Sequence, residues 1–300
     1  MKQKGHRMSD FLDEVLEGLG EDLYPRHDGM VFVAKAITFG GKNYPKYGNA
    51  VIVGGGAGSG KGYQIAQLFG LDGKRIDVDK LKEFALKNKQ IQEKIKKMYG
   101  VDISNWRLDN PKQVSDLHEF LKEINLNDRY IKMVKESALM AASDRKPNLI
   151  FDKTLSSFRD FANIATGLKH IGYKDENIHL VWILNDYKVA VIQNQMRQRR
   201  VPNDILLTTH EETAANMKRI IDFGDSIKQY MDGDFWISFN QAKVDVELEV
   251  GNTGGYYIKN AVYFKVKSAG GSMTPYEKID QKFRQKIIEY IPEKVKYLWS

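Results

Sequence analysis

One stretch limits the folds open to this chain more than any other: Val51-Ile-Val-Gly-Gly-Gly-Ala-Gly-Ser-Gly-Lys61-Gly-Tyr-Gln64. The apolar run Asn49–Val53 has the length of a buried strand, and a helical pattern begins at Tyr63–Phe69. The glycines must therefore turn the chain from strand to helix. From Gly55 to Lys61 the spacing is that of a phosphate-binding loop, G-x-x-x-x-G-K. The chemistry needs glycine there because a Cβ would block the approach of backbone N–H groups to phosphate oxygens, or forbid positive φ angles. Those N–H groups and the N-terminus of the next helix form an anion site. Lys61 adds a compact cation for the β- and γ-phosphates. The expected nucleotide contacts are Gly55, Gly56, Ala57, Gly58, Ser59, Gly60, Lys61, Gly62 and Tyr63. The expected cofactors are ATP, or another nucleoside triphosphate, and Mg²⁺.

The loop departs from the usual pattern at Gly62, where Ser or Thr normally ligates Mg²⁺. Gly62-Tyr63-Gln64 follows the adenylate-kinase form, with Tyr63 in the hydroxyl position, and Ser59 inside the loop is another candidate contributor. Carboxylates at strand ends supply the remaining candidates, because ligands of open parallel sheets sit there. Arg75-Ile-Asp77-Val-Asp79 ends one strand. Asp79 suits a general base for an attacking hydroxyl or, equally, an N-cap for the next helix. Asp77 is the alternate. Asp152 closes the apolar run Asn148–Phe151, where it either orients Mg²⁺ through water or bonds its own backbone. Arg197 and Arg200, three residues apart at the end of a helical pattern, share a face. They suit either a lid over the transferring phosphoryl group or stabilisation of a helix C-terminus.

Strand patterns at Asn49–Val53, Lys74–Val78, Asn148–Phe151, Asn177–Leu184 and Phe235–Phe239 alternate with helical ones. That order predicts an α/β fold, a P-loop NTPase-type parallel sheet flanked by helices. Asp79–Lys97 reads as one Lys- and Glu-rich helix that opens a helical insertion over about 80–147, suited to a substrate cap. Tyr187–Arg200 reads as one helix. Thr209-His-Glu-Glu212 has capping-box spacing and predicts a helix start, with His210 exposed in its first turn. Beyond Asn240, Lys243–Val250 and Tyr256–Val266 alternate as a hairpin, and Pro275–Tyr290 reads as a closing helix. The expected organisation is an extension over 1–48, with a short helix at Asp10–Leu19 and a strand at Met30–Ile37. A core follows over 49–240, then a C-terminal hairpin and helix over 241–300.

The chain has 300 residues, 42% of them apolar, enough for one large α/β domain. Its net charge of +7 favours anionic partners, nucleotides or nucleic acid, unless spread over solvated faces. The absence of cysteine excludes disulfides and thiolate metal sites. No histidine pair has metal-ligand spacing at helical positions, so zinc is not expected. There is no apolar run of about 20 residues to span a bilayer, and Met1–Asp13 lacks the apolar stretch of a secretory signal. A cytoplasmic protein without membrane attachment is expected.

These motifs resemble the zeta-toxin-like and polynucleotide-kinase-like branch of P-loop kinases. The resemblance runs from about Ala50 to Ile221 and rests on Gly56–Lys61, Ile76-Asp-Val-Asp79 and Phe151-Asp-Lys-Thr154. The helix before Gly172-Tyr173, the strand His179–Leu184 and the arginine-bearing helix after it continue the match. It implies an ATP-dependent phosphotransferase with Asp79 as base, Lys61 on the phosphates, and Arg197 or Arg200 in the lid. The implied acceptor is a hydroxyl of a nucleotide-like small molecule, such as a sugar nucleotide. Relatives, notably in bacteriophages, act on nucleic-acid 5′ ends or modified bases, so a DNA or RNA kinase is the alternative. A non-catalytic NTP-binding protein is a third reading, motivated by Gly62.

Overall fold

A computed structural model describes residues 37–42, 45–77, 79–195, 200–240 and 263–300, and the backbone alone at 33–34, 196, 248–250, 256–258 and 262. The helix expected at Asp10–Leu19 lies outside the described residues, as does most of the strand expected at Met30–Ile37. In chain order the elements are β1 (Val33–Ala34), β2 (Ala50–Gly54), α1 (Lys61–Leu68), β3 (Lys74–Ile76), α2 (Lys80–Lys87), α3 (Lys89–Tyr99), α4 (Pro111–Glu123) and α5 (Leu126–Met140). Then come β4 (Leu149–Asp152), α6 (Phe158–His170), β5 (Ile178–Asn185), α7 (Tyr187–Met196), α8 (Asn203–Asp222), β6 (Phe235–Asn240), β7 (Leu248–Val250), β8 (Tyr256–Ile258), β9 (Val262–Lys267) and α9 (Gln281–Tyr290).

Six strands form the central sheet in the order β3–β4–β2–β5–β6–β9. All neighbours are parallel except β9, which runs antiparallel to β6. The strand bearing the glycine loop is thus central, with later strands added on both sides of it. Such a reversal of strand order leaves a crevice at the carboxyl ends of the strands.

Burial on both faces explains why these strands read as continuous apolar runs. Ala50, Ile52, Leu149, Phe151, Leu180, Trp182 and Leu184 enter one core. Their alternating neighbours Val51, Val53, Ile150, Val181 and Ile183 enter a smaller one, with Ile37, Phe39 and Phe69. This is the α/β class that the sequence predicts.

Local chemistry redraws several expected boundaries. The helix expected over Asp79–Lys97 is two helices. Asn88 is extended at φ −94° and ψ 110°, and its side chain accepts a bond from the N–H of Ile91, starting α3 afresh. Of the helix expected over Tyr187–Arg200, the described part is Tyr187–Met196, and Arg200 itself is not helical. The Asn194 amide brackets Val201, donating to its carbonyl at 2.6 Å and accepting from its N–H at 3.0 Å.

Residues beyond Asn240 join the same core. Of the expected hairpin, β7 and β8 pair antiparallel in a separate three-stranded sheet with β1, whereas β9 leaves to extend the central sheet. Trp299 is buried, with its ring stacked on that of Trp182 at 5.2 Å, and its carbonyl accepts a 2.6 Å bond from the Tyr276 hydroxyl.

Candidate active site

The loop between β2 and α1 has the geometry its glycines require. Gly58 and Gly60 have φ of +79° and +82°, in the left-handed region. A Cβ on Gly60 would lie 2.2 Å from Asn240 Nδ2, and one on Gly56 would lie 2.3 Å from the His210 ring. The loop tip rests on α7: the Asn185 amide donates to the Gly58 carbonyl at 3.3 Å and to Gln193 Oε1 at 3.1 Å. Lys61 Nζ curls back to the carbonyls of Gly55 and Gly56, at 2.7 and 3.2 Å.

Thr209 and His210 brace the loop from α8, contrary to expectation. Thr209 lies inside α8, which begins at Asn203, and caps nothing there. Its hydroxyl donates to Leu206 O at 2.7 Å and accepts from the Ala57 N–H at 2.9 Å. His210 is buried, and its Nε2 bonds the Ala57 carbonyl at 2.9 Å. Burial pushes its pKa down to about 4, with the Ala57 bond opposing and Lys61 adding to the fall. A helical stripe carried this signal: Leu206, His210, Thr213, Ala214, Met217 and Ile221 share the buried face of α8.

The strand-end carboxylates converge beside the loop. Asp152 pairs with Arg75, whose Nη2 also lies 3.3 Å from Asp77. Burial raises the Asp77 pKa, Asp152 adds to the rise, and Arg75 opposes it. Asp77 accepts from the Asp79 N–H at 3.0 Å. The Asp79 carboxylate does not cap α2; it pairs with Lys82 Nζ at 2.8 Å and is 39% exposed, the accessible carboxylate of this group. Arg197 lies outside the described residues. Arg200 is exposed, with its N–H bonded to Leu108 O at 2.8 Å, next to Val201 on the cavity wall.

Two cavities meet here. One, about 420 Å³, is lined by Ala57–Tyr63, Arg75, Gln193 and Val201. The other, about 540 Å³, is lined by His118, Lys135, Lys153, Asp160 and Asn163 under the helical block. Lys61, Asp77, Asp79, Asp152 and Thr154 line both. Burial lowers the Lys153 pKa, against the pull of Asp160, Asp79, Asp77 and Asp152.

No family model matches the chain, and no curated protein matches it. Among solved structures it is similar to AvrRxo1-ORF1:AvrRxo1-ORF2 with sulphate ions, at a TM-score of 0.52 and 12% identity, covering 98% of this chain and 85% of that one. It is also similar to AvrRxo1-ORF1:-ORF2 with ATP, at 0.49 and 14%, covering 97% and 82%. A third likeness is to a structure from the PezAT chromosomal toxin-antitoxin system of Streptococcus pneumoniae, at 0.43 and 14%, covering 80% of each chain. The first of these is a likeness of fold.

The residues present fit a nucleoside triphosphate: Gly58 and Gly60 take the left-handed turns of an anion-binding loop, and the N-terminus of α1 opens at Lys61 directly behind it. They do not fit a protein-held Mg²⁺. Gly62 offers no side chain, and Asp152 is paired with Arg75. Among the described residues no group of three or more His, Asp or Glu side chains is arranged to hold a metal ion. Asp152 and Asp77, the carboxylates expected to orient Mg²⁺ through water, both face the Arg75 guanidinium. No helix among the described residues is long and apolar enough to cross a membrane.

Proposed function

We propose that the chain is an ATP-dependent phosphotransferase of the P-loop kinase type, related to the zeta-toxin-like branch, that phosphorylates a hydroxyl of a nucleotide-like small molecule. One observation carries this reading: two cavities share a wall made of Lys61, Asp77, Asp79, Asp152 and Thr154. A triphosphate in the glycine-lined cavity points its γ-phosphate at that wall, and an acceptor in the other cavity meets it there. The volume of about 540 Å³ suits a ligand of nucleotide size, and its lining sets Lys135 and Lys153 against Asp128 and Asp160, a mixed surface that suits a polar ligand.

In the reaction, Asp79 accepts the acceptor's hydroxyl proton as its oxygen bonds to Pγ. The bond from Pγ to the β–γ bridging oxygen breaks, and ADP leaves with that electron pair. Lys61 shifts from the loop carbonyls to the γ-phosphate and balances its charge. Arg197 and Arg200 are the cations assigned to stabilise the transferring phosphoryl group.

Transfer of labelled γ-phosphate from ATP tests this, run in parallel on sugar nucleotides, nucleosides and DNA or RNA oligomers. Label on a small-molecule acceptor that vanishes with Lys61→Ala supports the reading. Label confined to oligomers, with binding that weakens steeply in salt, replaces it with a nucleic-acid kinase. ATP binding without transfer to any acceptor leaves a nucleotide-binding protein without this activity.

A further inference from the structure

We propose that Arg75 takes the place of the missing metal-binding hydroxyl: its guanidinium is the fixed cation of the nucleotide site and contacts the bound phosphates directly. The proposal rests on the nucleotide reading of the glycine loop and on nothing about the acceptor.

The residue after the loop lysine is the usual source of the hydroxyl, and here it is Gly62. The space a side chain would take is filled. A Cβ on Gly62 would lie 3.3 Å from Arg75 Nη2 and 3.4 Å from Nη1. Even the first atom of a serine would press on the guanidinium. The loss of the hydroxyl and the presence of the arginine are thus one arrangement.

Arg75 is held there by both of its acidic neighbours. It pairs with Asp152, whose side chain is 6% exposed, and lies 3.3 Å from Asp77. Asp152 stands at the strand end where a carboxylate would orient Mg²⁺, and it is engaged by a guanidinium instead. Arg75 keeps 27% of its side chain exposed, lines the nucleotide cavity, and has a buried Nε with no hydrogen-bond partner. A guanidinium is always charged and presents a planar fork of donors that suits phosphate oxygens. A cation built into the fold, rather than recruited from solution, makes phosphate binding independent of a divalent ion.

The test is equilibrium binding of a fluorescent ATP analogue to the full chain, in Mg²⁺ and in excess EDTA, with thermal unfolding as the check on folding. The wild type is expected to bind in EDTA within about tenfold of its Mg²⁺ affinity, and Arg75→Gln to lose roughly tenfold to a hundredfold in EDTA. Gly62→Ser keeps Arg75 but crowds it, and is expected to weaken EDTA binding as well. This variant decides the matter should Arg75→Gln lack a cooperative melt. Loss of wild-type binding on chelation overturns the proposal, as does an Arg75→Gln or Gly62→Ser variant that binds in EDTA like the wild type. Binding in Mg²⁺ alone leaves the phosphotransferase reading standing, whereas no binding under either condition removes both.

Discussion

His210 Nε2 and the carbonyl of Ala57 are 2.9 Å apart, a bond that ties α8 to the tip of the glycine loop across 153 positions of sequence. A carbonyl only accepts, so Nε2 carries the proton. The depressed pKa, about 4 against the ordinary imidazole value of 6.5, fixes a pH window. Above the unfolded value the histidine is neutral in both states and its contribution to stability is intact. As pH falls from about 6.5 to 4, the unfolded chain takes up a proton that the folded site resists, and stability drops by about 1.4 kcal/mol per pKa unit. The melting temperature is expected to fall over this interval in the wild type and to fall less in His210→Gln. Equal slopes in thermal melts of the two proteins would sink the assignment.

Lys61→Ala should abolish transfer while leaving the fold intact, because Lys61 is only partly buried. The expected loss in kcat is about 10²–10³ or more, the scale for removing one electrostatic contact to a developing charge. Labelled transfer and a circular-dichroism melt on the same preparation check both halves.

Asp79→Asn separates catalysis from binding. A general base contributes about 10²–10⁴ in rate, and that loss is expected in kcat with the KM for ATP within a few-fold of wild type. A variant whose ATP affinity falls as far as its rate would show Asp79 to be a binding residue instead.

Gly60→Ala tests the loop's backbone. The left-handed conformation costs an L-residue roughly 1–2 kcal/mol, and the new Cβ meets Asn240 Nδ2 at 2.2 Å. Loss of nucleotide affinity and a lower melting temperature are expected. Adding Asn240→Ala should recover the part due to the clash and leave the part due to φ. Full recovery in the double variant would show that the conformation itself carries no strain.

Trp299→Ala is expected to cost about 3–5 kcal/mol, the range for emptying a buried aromatic site, read as the shift in denaturant midpoint. It removes the stack on Trp182 and unseats the backbone to which Tyr276 bonds.

The parts of this molecule legible in its sequence are those whose causes are local. The Gly55–Lys61 spacing, the apolar strand before it and the alternation of strands and helices each arise within a few residues. What escaped arises over long separations. Arg75 reads as a charged strand residue until β3 and β4 bring it to Asp152, 77 positions on. Thr209 and Glu212 have the spacing of a helix start, yet the helix already runs from Asn203 and the Thr209 hydroxyl serves Ala57. The break at Asn88 was local and still missed, because a strong N-cap residue sat inside a run of good helix formers. Beyond Asn240 the alternating pattern showed strands but not which sheet each joins, since an edge strand pairs according to tertiary geometry.

Lys61, Asp77, Asp79, Asp152 and Thr154 belong to both cavities, and this has a thermodynamic consequence. A ligand that changes the charge or position of any of these side chains changes the environment of the other ligand as well. The two affinities form a closed cycle, so whatever factor the nucleotide imposes on the acceptor, the acceptor imposes on the nucleotide. A γ-phosphate brought up to Asp77 and Asp79 adds negative charge beside two acids. An acceptor that carries cationic character toward that wall is thereby favoured in the ternary complex, and one that presents a bare anion there is opposed.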